Sequence, residues 1–405
     1  MKRKIFRVRD RTLKFAFLLA GLLLADASSA AADFFKALHP YAELGIAHDS
    51  NVFRVEEPAQ AGGLIDGTQT SDTYWIAEAG FDGELTHKKQ LFLLNGRVFH
   101  NDYEQFNEVD FTGGEARVAW DWVAGSHWNG EVGYEFKRAL RDFANQLTPH
   151  IDVSSSNAFN GAVTRQLSNR WRLTVDGKLT DTSFSENPNL DLQRIGSGLS
   201  IAYVSRQNNT LSLDATYSTK ESNGTANLDY TELVIGPVMD WRPREESHIR
   251  ATFGYAQRDQ DNPAIDDFSG FVGRMTGTWD TEGASNIRFS LWREISTFGD
   301  EIATYAIVDG VRLDPTFRFG NHAYVSLGIG YEQRDFRGEP EGPPLPGPGL
   351  APRDDDVLFG TVRLEWKFTE NSHIACEFRT EDRQSTRAGK DYDFDSIGLS
   401  FRVGL

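Results

Sequence analysis

Residues 210–220 read Thr-Leu-Ser-Leu-Asp-Ala-Thr-Tyr-Ser-Thr-Lys. Leu211, Leu213, Ala215 and Tyr217 fall on one side of this stretch. Thr210, Ser212, Asp214, Thr216 and Ser218 fall on the other. A period of two means an extended strand with one apolar and one polar face. The same pattern recurs at 171–180, where Trp171, Leu173, Val175 and Leu179 oppose Arg172, Thr174, Asp176, Lys178 and Thr180. It recurs again at 358–368 and 373–381, the latter alternating Ile374, Cys376 and Phe378 with Glu377, Arg379 and Glu381.

Between such stretches, short polar turns alternate with longer loops. The short turns are 87–90, 124–127, 168–170, 205–209, 244–247, 282–285, 320–322 and 369–372. The loops are 49–70, 104–108, 141–150, 185–191, 222–226, 259–266, 296–301, 337–354 and 385–390. Eight turns and nine loops separate eighteen strands of about a dozen residues, long enough for the tilted ~9–11-residue span of a membrane strand. Strict alternation of long and short connections places all loops at one end of an up-and-down sheet and all turns at the other. The expected fold is therefore all-β: an up-and-down antiparallel transmembrane β-barrel of about 18 strands, with short periplasmic turns and longer outer loops. A propeller repeats at a similar ~40 residues but needs four short strands per repeat, not two long ones.

Tryptophan supports the membrane assignment. Trp120, Trp122, Trp128, Trp171, Trp241, Trp279 and Trp366, seven of the nine, lie within a few residues of a short turn. Indole rings favour the membrane interface, so this clustering reads as a girdle. Pro237 and Pro315 fall inside strands ten and fourteen, where a missing N–H predicts a bulge or bend. The last strand, 392–405, sets Ile397, Leu399, Phe401, Val403 and Leu405 on one face and ends in Leu rather than an aromatic residue.

The chain has 405 residues, a formal charge of −17, one Cys and 12% aromatics. Past residue 30 no run approaches the roughly 20 apolar residues of a membrane helix. A single Cys excludes an internal disulfide framework, and Cys376 is expected to face lipid. The acidic balance argues against a nucleic-acid partner. The first 32 residues run from a basic segment (Lys2, Arg3, Lys4, Arg7, Arg9, Arg11, Lys14) through an apolar run (Phe15–Ala25) to Ala30-Ala31-Ala32. This is the pattern of a secretory signal peptide, cleaved after Ala32 or Ala30. Residues 33–405 are then one barrel domain in the outer membrane of a Gram-negative cell, in contact with lipid and lipopolysaccharide. A loop folded into the lumen, from 49–70 or the Pro-rich 337–354, is compatible with the pattern.

Candidate lumen-lining residues occupy the polar faces: Arg97, Arg117, Glu131, Glu135, Arg172, Asp176, Lys178, Asp214, Arg250, Arg274, Arg288, Arg363, Glu365, Glu377 and Arg379. Charges are cheap against water and cost ~2–4 kcal/mol each against lipid near the midplane. Such a mixed wall can keep the lumen wet through cross-strand pairing, or can hydrogen-bond a sugar polymer. No G-x-S-x-G, H-E-x-x-H or Walker pattern occurs. No catalytic residue, cofactor or metal is indicated, and an enzyme is not expected. The acid runs Asp266-Asp267 and Asp354-Asp355-Asp356 read as solvated loop ends rather than calcium ligands.

The most specific stretch is Tyr41-Ala-Glu-Leu-Gly-Ile-Ala-His-Asp-Ser-Asn-Val-Phe-Arg54. A first strand running into Asp49, Ser50, Asn51, Val52, Phe53 and Arg54 resembles the start of the EpsL-like outer-membrane porins associated with exosortase-type exopolysaccharide operons. The resemblance continues through the hairpin series to the C-terminus. It implies an outer-membrane channel in extracellular polysaccharide synthesis or export, with a polysaccharide chain and periplasmic export components as partners. It carries no catalytic residues over, and the matched positions are expected to shape the first loop. Two other readings stay open: a general diffusion porin, and a non-conducting anchor that binds polysaccharide.

Overall fold

In the computed structural model the described residues are 37–64, 68–146, 148–223, 228–263, 265–281, 285–297, 303–338 and 353–404. The segment read as a signal peptide, the turn at 282–284 and most of the Pro-rich stretch lie outside them.

Eighteen strands follow one another: β1 (Leu38–Asp49), β2 (Asp72–His87), β3 (Gln90–Tyr103), β4 (Phe111–Ala124), β5 (Trp128–Leu140), β6 (Val153–Gln166), β7 (Trp171–Phe184), β8 (Leu192–Val204), β9 (Thr210–Ser222), β10 (Tyr230–Arg244), β11 (Ser247–Gln260), β12 (Phe268–Thr281), β13 (Ser285–Ser296), β14 (Tyr305–Phe319), β15 (Ala323–Arg337), β16 (Asp354–Lys367), β17 (His373–Ser385) and β18 (Tyr392–Gly404). Each pairs antiparallel with its sequence neighbours. The ring closes where β1 meets β18, from Tyr41 opposite Gly404 to Asp49 opposite Ser396. Closure removes the free edge that an open sheet would present to lipid.

The two faces differ as the alternation requires. Leu44, Val98, Val118, Val175, Leu199, Leu213, Phe253, Phe271, Ile329 and Leu399 are large apolar side chains left exposed. Contacts from Arg383, described below, reach residues six strands away around the ring, and a side chain can do that only through the interior. Its alternation partners Glu377 and Arg379 therefore face inward, and Ile374, Cys376 and Phe378 outward. The exposed apolar band is thus the outer surface, the arrangement of an outer-membrane barrel. Six of the seven turn-proximal Trp residues, Trp120, Trp128, Trp171, Trp241, Trp279 and Trp366, stand exposed on that surface.

Neither strand proline makes the expected bulge. On the β9 side Pro237 stays in register opposite Leu213. On the β11 side the ladder skips two residues and resumes unshifted, Ile235 opposite Tyr255 and Val238 opposite Thr252. Pro315 behaves alike, in register opposite Ile287 and skipped between Leu313 and Thr316 on the β15 side. Each proline thus loses pairing on one side only, and the neighbouring ladder keeps the strand in register. At Gly236 the two backbones approach so closely that a Cβ would sit 1.7 Å from the Phe253 carbonyl oxygen. The register shift in β10 falls instead between Trp241 and Arg244, beside Pro243.

The short turns use backbone that tolerates positive φ. Gly125 and Gly320 sit at φ 65° and 63° in the turns after β4 and β14. The loops have another device. Among the described residues, five end in an aspartate whose Oδ1 accepts the backbone N–H of the last residue of the preceding strand. They are Asp110 to Tyr103 (2.8 Å), Asp191 to Phe184 (2.7 Å), Asp229 to Ser222 (2.7 Å), Asp267 to Gln260 (2.7 Å) and Asp391 to Ser385 (2.6 Å). Each bond closes the loop's base at the point where the ladder ends.

Candidate functional site: the inner wall and its loop-closed mouth

All fifteen charged candidates lie on the inner face, opposite in alternation to the exposed apolar residues. Neighbouring strands bring many of them into cross-strand pairs. On β3 to β5, Arg97 stands opposite Glu115, and Glu115 opposite Lys137. The Arg97 guanidinium lies 3.0 Å from Glu115 and 3.3 Å from Glu78, and Lys137 lies 3.5 Å from Glu115. One register step away Arg117 lies 3.4 Å from Glu135. Arg97, Glu115, Lys137, Arg117 and Glu135 line one recess in the wall together with Tyr41. A second recess is lined by Arg288, Arg312, Asp314, Arg363, Glu377 and Arg379. There Arg363 bridges Glu365 (3.2 Å) and Glu377 (3.1 Å), and Arg379 pairs with Glu377.

The other candidates are more scattered. Arg274 pairs with Glu294 at 2.9 Å and lies over the Trp292 ring. Asp214 accepts the Ser200 hydroxyl at 2.6 Å, and Glu131 accepts the Asn160 amide at 3.4 Å. Arg250 faces Asp240 across the ladder, and Asp176 faces Gly198. Arg172 stands opposite Gln166 and Ala202, and Lys178 opposite Asn160 and Gly196. The wall is thus polar all round, with most charges half-exposed to the lumen.

At the loop end the character changes. The described part of the first loop, 50–64 and 68–71, folds into the mouth and carries the motif with it. Asp49 grips Arg54 with both carboxylate oxygens, each at 2.8 Å. Burial works against the Arg54 charge, but the Asp49 hydrogen bonds and attraction outweigh it and hold the guanidinium above its ordinary pKa. The same guanidinium sits 3.5 Å over the Phe394 ring. Arg54 sits at φ 54°, in the left-handed region that non-glycine residues seldom occupy. Asn51 donates its amide to the carbonyls of Val55 (2.8 Å) and Asp393 (3.0 Å). Phe53, with no exposure, packs edge-on against Phe106 (4.9 Å) of the second loop and Phe143 (5.3 Å) of the third. Val52, Val55, Ala61 and Val109 complete this cluster. The motif therefore builds a small hydrophobic core shared by three loops. Ser50 joins it to β18, its hydroxyl accepting the Asp395 N–H at 2.8 Å.

The third loop reaches across the lumen with residues 144–146. Arg383 of β17 donates to the Ala144 carbonyl (2.5 Å) and to Asn145 Oδ1 (3.3 Å). Arg353 also donates to Asn145 Oδ1 (3.3 Å) and holds Asp355 at 2.6 Å. The Lys390 ammonium donates to the Gln146 carbonyl. Arg353, Arg383, Asp355 and Gln146 are all fully buried. The acid runs are likewise engaged: Asp355 by Arg353, Asp267 by the Gln260 backbone. Among the described residues no group of His, Cys, Asp and Glu is arranged to hold a metal ion.

Alternation does not single out the buried mouth residues. Arg353, Arg383, Asn145 and Phe143 carry no local mark that separates them from ordinary strand and loop residues.

The fold is a closed eighteen-stranded antiparallel β-barrel with a charged inner wall. Residues 250–405, from β11 to β18, match the family described as "Putative beta-barrel porin 2". No curated protein matches the sequence. Among solved structures the chain is similar to OpdL of Pseudomonas aeruginosa (12% identity, TM-score 0.46, covering 91% of this chain and 99% of that one). It is also similar to OccK2 (OpdF) of the same organism (9%, 0.49, 91% and 98%) and to a BenF-like porin of Pseudomonas fluorescens (9%, 0.49, 92% and 100%).

Proposed function

We propose that the chain, exported through the segment 1–32, is an outer-membrane channel for hydrophilic solutes, with a charged wall and a mouth narrowed by its own loops. The observation that carries this reading is the pairing of opposites on one closed ring: an apolar band outside, and Arg, Lys, Asp and Glu in alternating-sign rows inside. An interior of that composition is wet, and eighteen strands leave room for water. The fifteen charged candidates would be the surface a solute meets. Among the described residues of this wall no nucleophile is set beside a base, which favours conduction over catalysis.

Reconstitution into planar bilayers tests it. The protein should give stepwise ionic currents. Folded, inserted protein that gives none would end the channel reading and leave that of a non-conducting anchor.

A second reading, passage of an extracellular polysaccharide with the help of a periplasmic partner, is favoured by the stretch Asp49–Arg54. That stretch resembles polysaccharide-associated barrels and forms the very segment a polymer would have to displace. Deleting the gene should then trap polymer in the periplasm. Normal surface polymer in the deletion strain would leave only the small-solute channel.

A further inference from the structure

A separate constellation sits on the inner wall at the loop ends of β8 to β11. Arg194, Lys220, Glu232, Arg258 and Gln260 share the inward alternation. Register sets Arg194 opposite Lys220, Lys220 opposite Tyr230, Tyr230 opposite Gln260, and Glu232 opposite Arg258. Arg258 is 1% exposed and donates from Nε to Glu232 Oε2 at 2.9 Å. Arg194 reaches the other oxygen of the same carboxylate at 3.1 Å. The Arg258 guanidinium and the Lys220 ammonium both lie over the Tyr230 ring, at 4.0 and 5.7 Å from its centre. A second ring, Tyr305, stands 5.0 Å from Arg258. Two guanidiniums thus share one carboxylate, and the Lys220 ammonium shares the Tyr230 ring with one of them. The nearby Asp229 is engaged by the backbone N–H and hydroxyl of Ser222 at 2.7 and 2.8 Å.

The cluster is also chemically incomplete. Arg258 Nη1 is buried and has no hydrogen-bond partner, and neither Nε2 nor Oε1 of Gln260 has one. Buried donors and acceptors are almost always paired, because leaving them bare forfeits their hydration without return. Arg258 Nη1 calls for an anion. Gln260 Oε1 calls for a donor, which a bare oxyanion such as sulfate cannot supply and a hydroxyl can.

We propose that this cluster is a binding subsite for a hydroxylated carboxylate of the sugar-acid class. Arg258 Nη1 and Lys220 take the carboxylate, and the Gln260 amide takes hydroxyl groups. The subsite deepens the channel reading and rests on it only for the route by which the ligand arrives.

The test is calorimetric titration of the folded protein in detergent with galacturonate, its neutral counterpart galactose, and sulfate. Galacturonate should bind at least tenfold tighter than galactose and tighter than sulfate. Lys220→Met should weaken galacturonate at least fivefold, and Gln260→Leu should bring it down to the level of sulfate. Both variants leave the Arg258–Glu232 pair intact, and heat-modifiable gel mobility verifies that each is folded. Equal binding of galacturonate and galactose, no binding of galacturonate, or a silent Lys220→Met would overturn the subsite. Sulfate binding as tightly as galacturonate would overturn the sugar-acid assignment. Currents recorded on the same preparation separate the two proposals. Binding without conduction leaves the subsite and removes the channel; conduction without binding does the reverse.

Discussion

Arg383 and Arg97 are the same residue on the same face of the same barrel, yet they do different work. Arg97, in the middle of the wall, is half-exposed and shares its charge with Glu115 and Glu78 beside water. Arg383, at the mouth, is buried and donates to a loop that crosses from the far side. Exposed pairs contribute about 0–1 kcal/mol, because water already solvates both partners. Removing one member of a buried network costs about 3–5 kcal/mol, because what remains is desolvated and unpaired. The wall can therefore vary its charges with little effect on folding, whereas the mouth depends on each of its own.

The largest expected effect follows directly. Arg383→Met strands the Ala144 carbonyl and leaves Asn145 Oδ1 with Arg353 alone, and should loosen the third loop by about 3–5 kcal/mol. Single-channel conductance should rise, and backbone amides of 141–152 should exchange faster while strand amides stay protected. Conductance and exchange unchanged from the parent protein would erase the distinction between mouth and wall. Phe53→Ala removes the ring that joins three loops and should cost about 3–5 kcal/mol, felt in the mouth alone. Hydrogen exchange should quicken across 50–64 and 106–109 but not in β7 to β9. Equal quickening everywhere would mean that the loop core supports the barrel itself.

The wall has its own asymmetry. Leu199→Arg puts a charge on the outer apolar band and should destabilise the barrel by about 2–4 kcal/mol in lipid, measured by denaturant unfolding in vesicles. No loss there would contradict the assignment of that face to hydrocarbon. The smallest effect on stability belongs to Arg97→Met, under about 1 kcal/mol. Its signature is electrical: the reversal potential in a salt gradient should shift toward cation preference, since Glu115 and Glu78 lose a counter-charge. An unshifted potential would place Arg97 outside the ion path.

The sequence revealed the two parts unequally, for physical reasons. Strand period, turn spacing and the Trp girdle are local properties, so residues such as Leu211 and Trp171 declare their face within a few neighbours. Closure of β1 on β18 also follows, because a lipid-exposed edge is too costly to keep. The mouth is non-local. Asn145 and Arg383 are 238 residues apart, and the alternation that turns Arg383 inward is the same one that turns Arg379 inward. Only the partner loop makes one structural and leaves the other beside water. The prolines teach a related point. A missing N–H at Pro237 was expected to force a bulge, yet a ladder on the other side and Gly236 beside it let the strand run on in register.

Single-channel recording in planar bilayers, on the parent protein and on Arg383→Met side by side, tests the account most directly. It predicts small, stable current steps from the parent and larger, noisier steps from the variant, at equal insertion. Folded, inserted protein that passes no current in either form, or steps of one size in both, would contradict it.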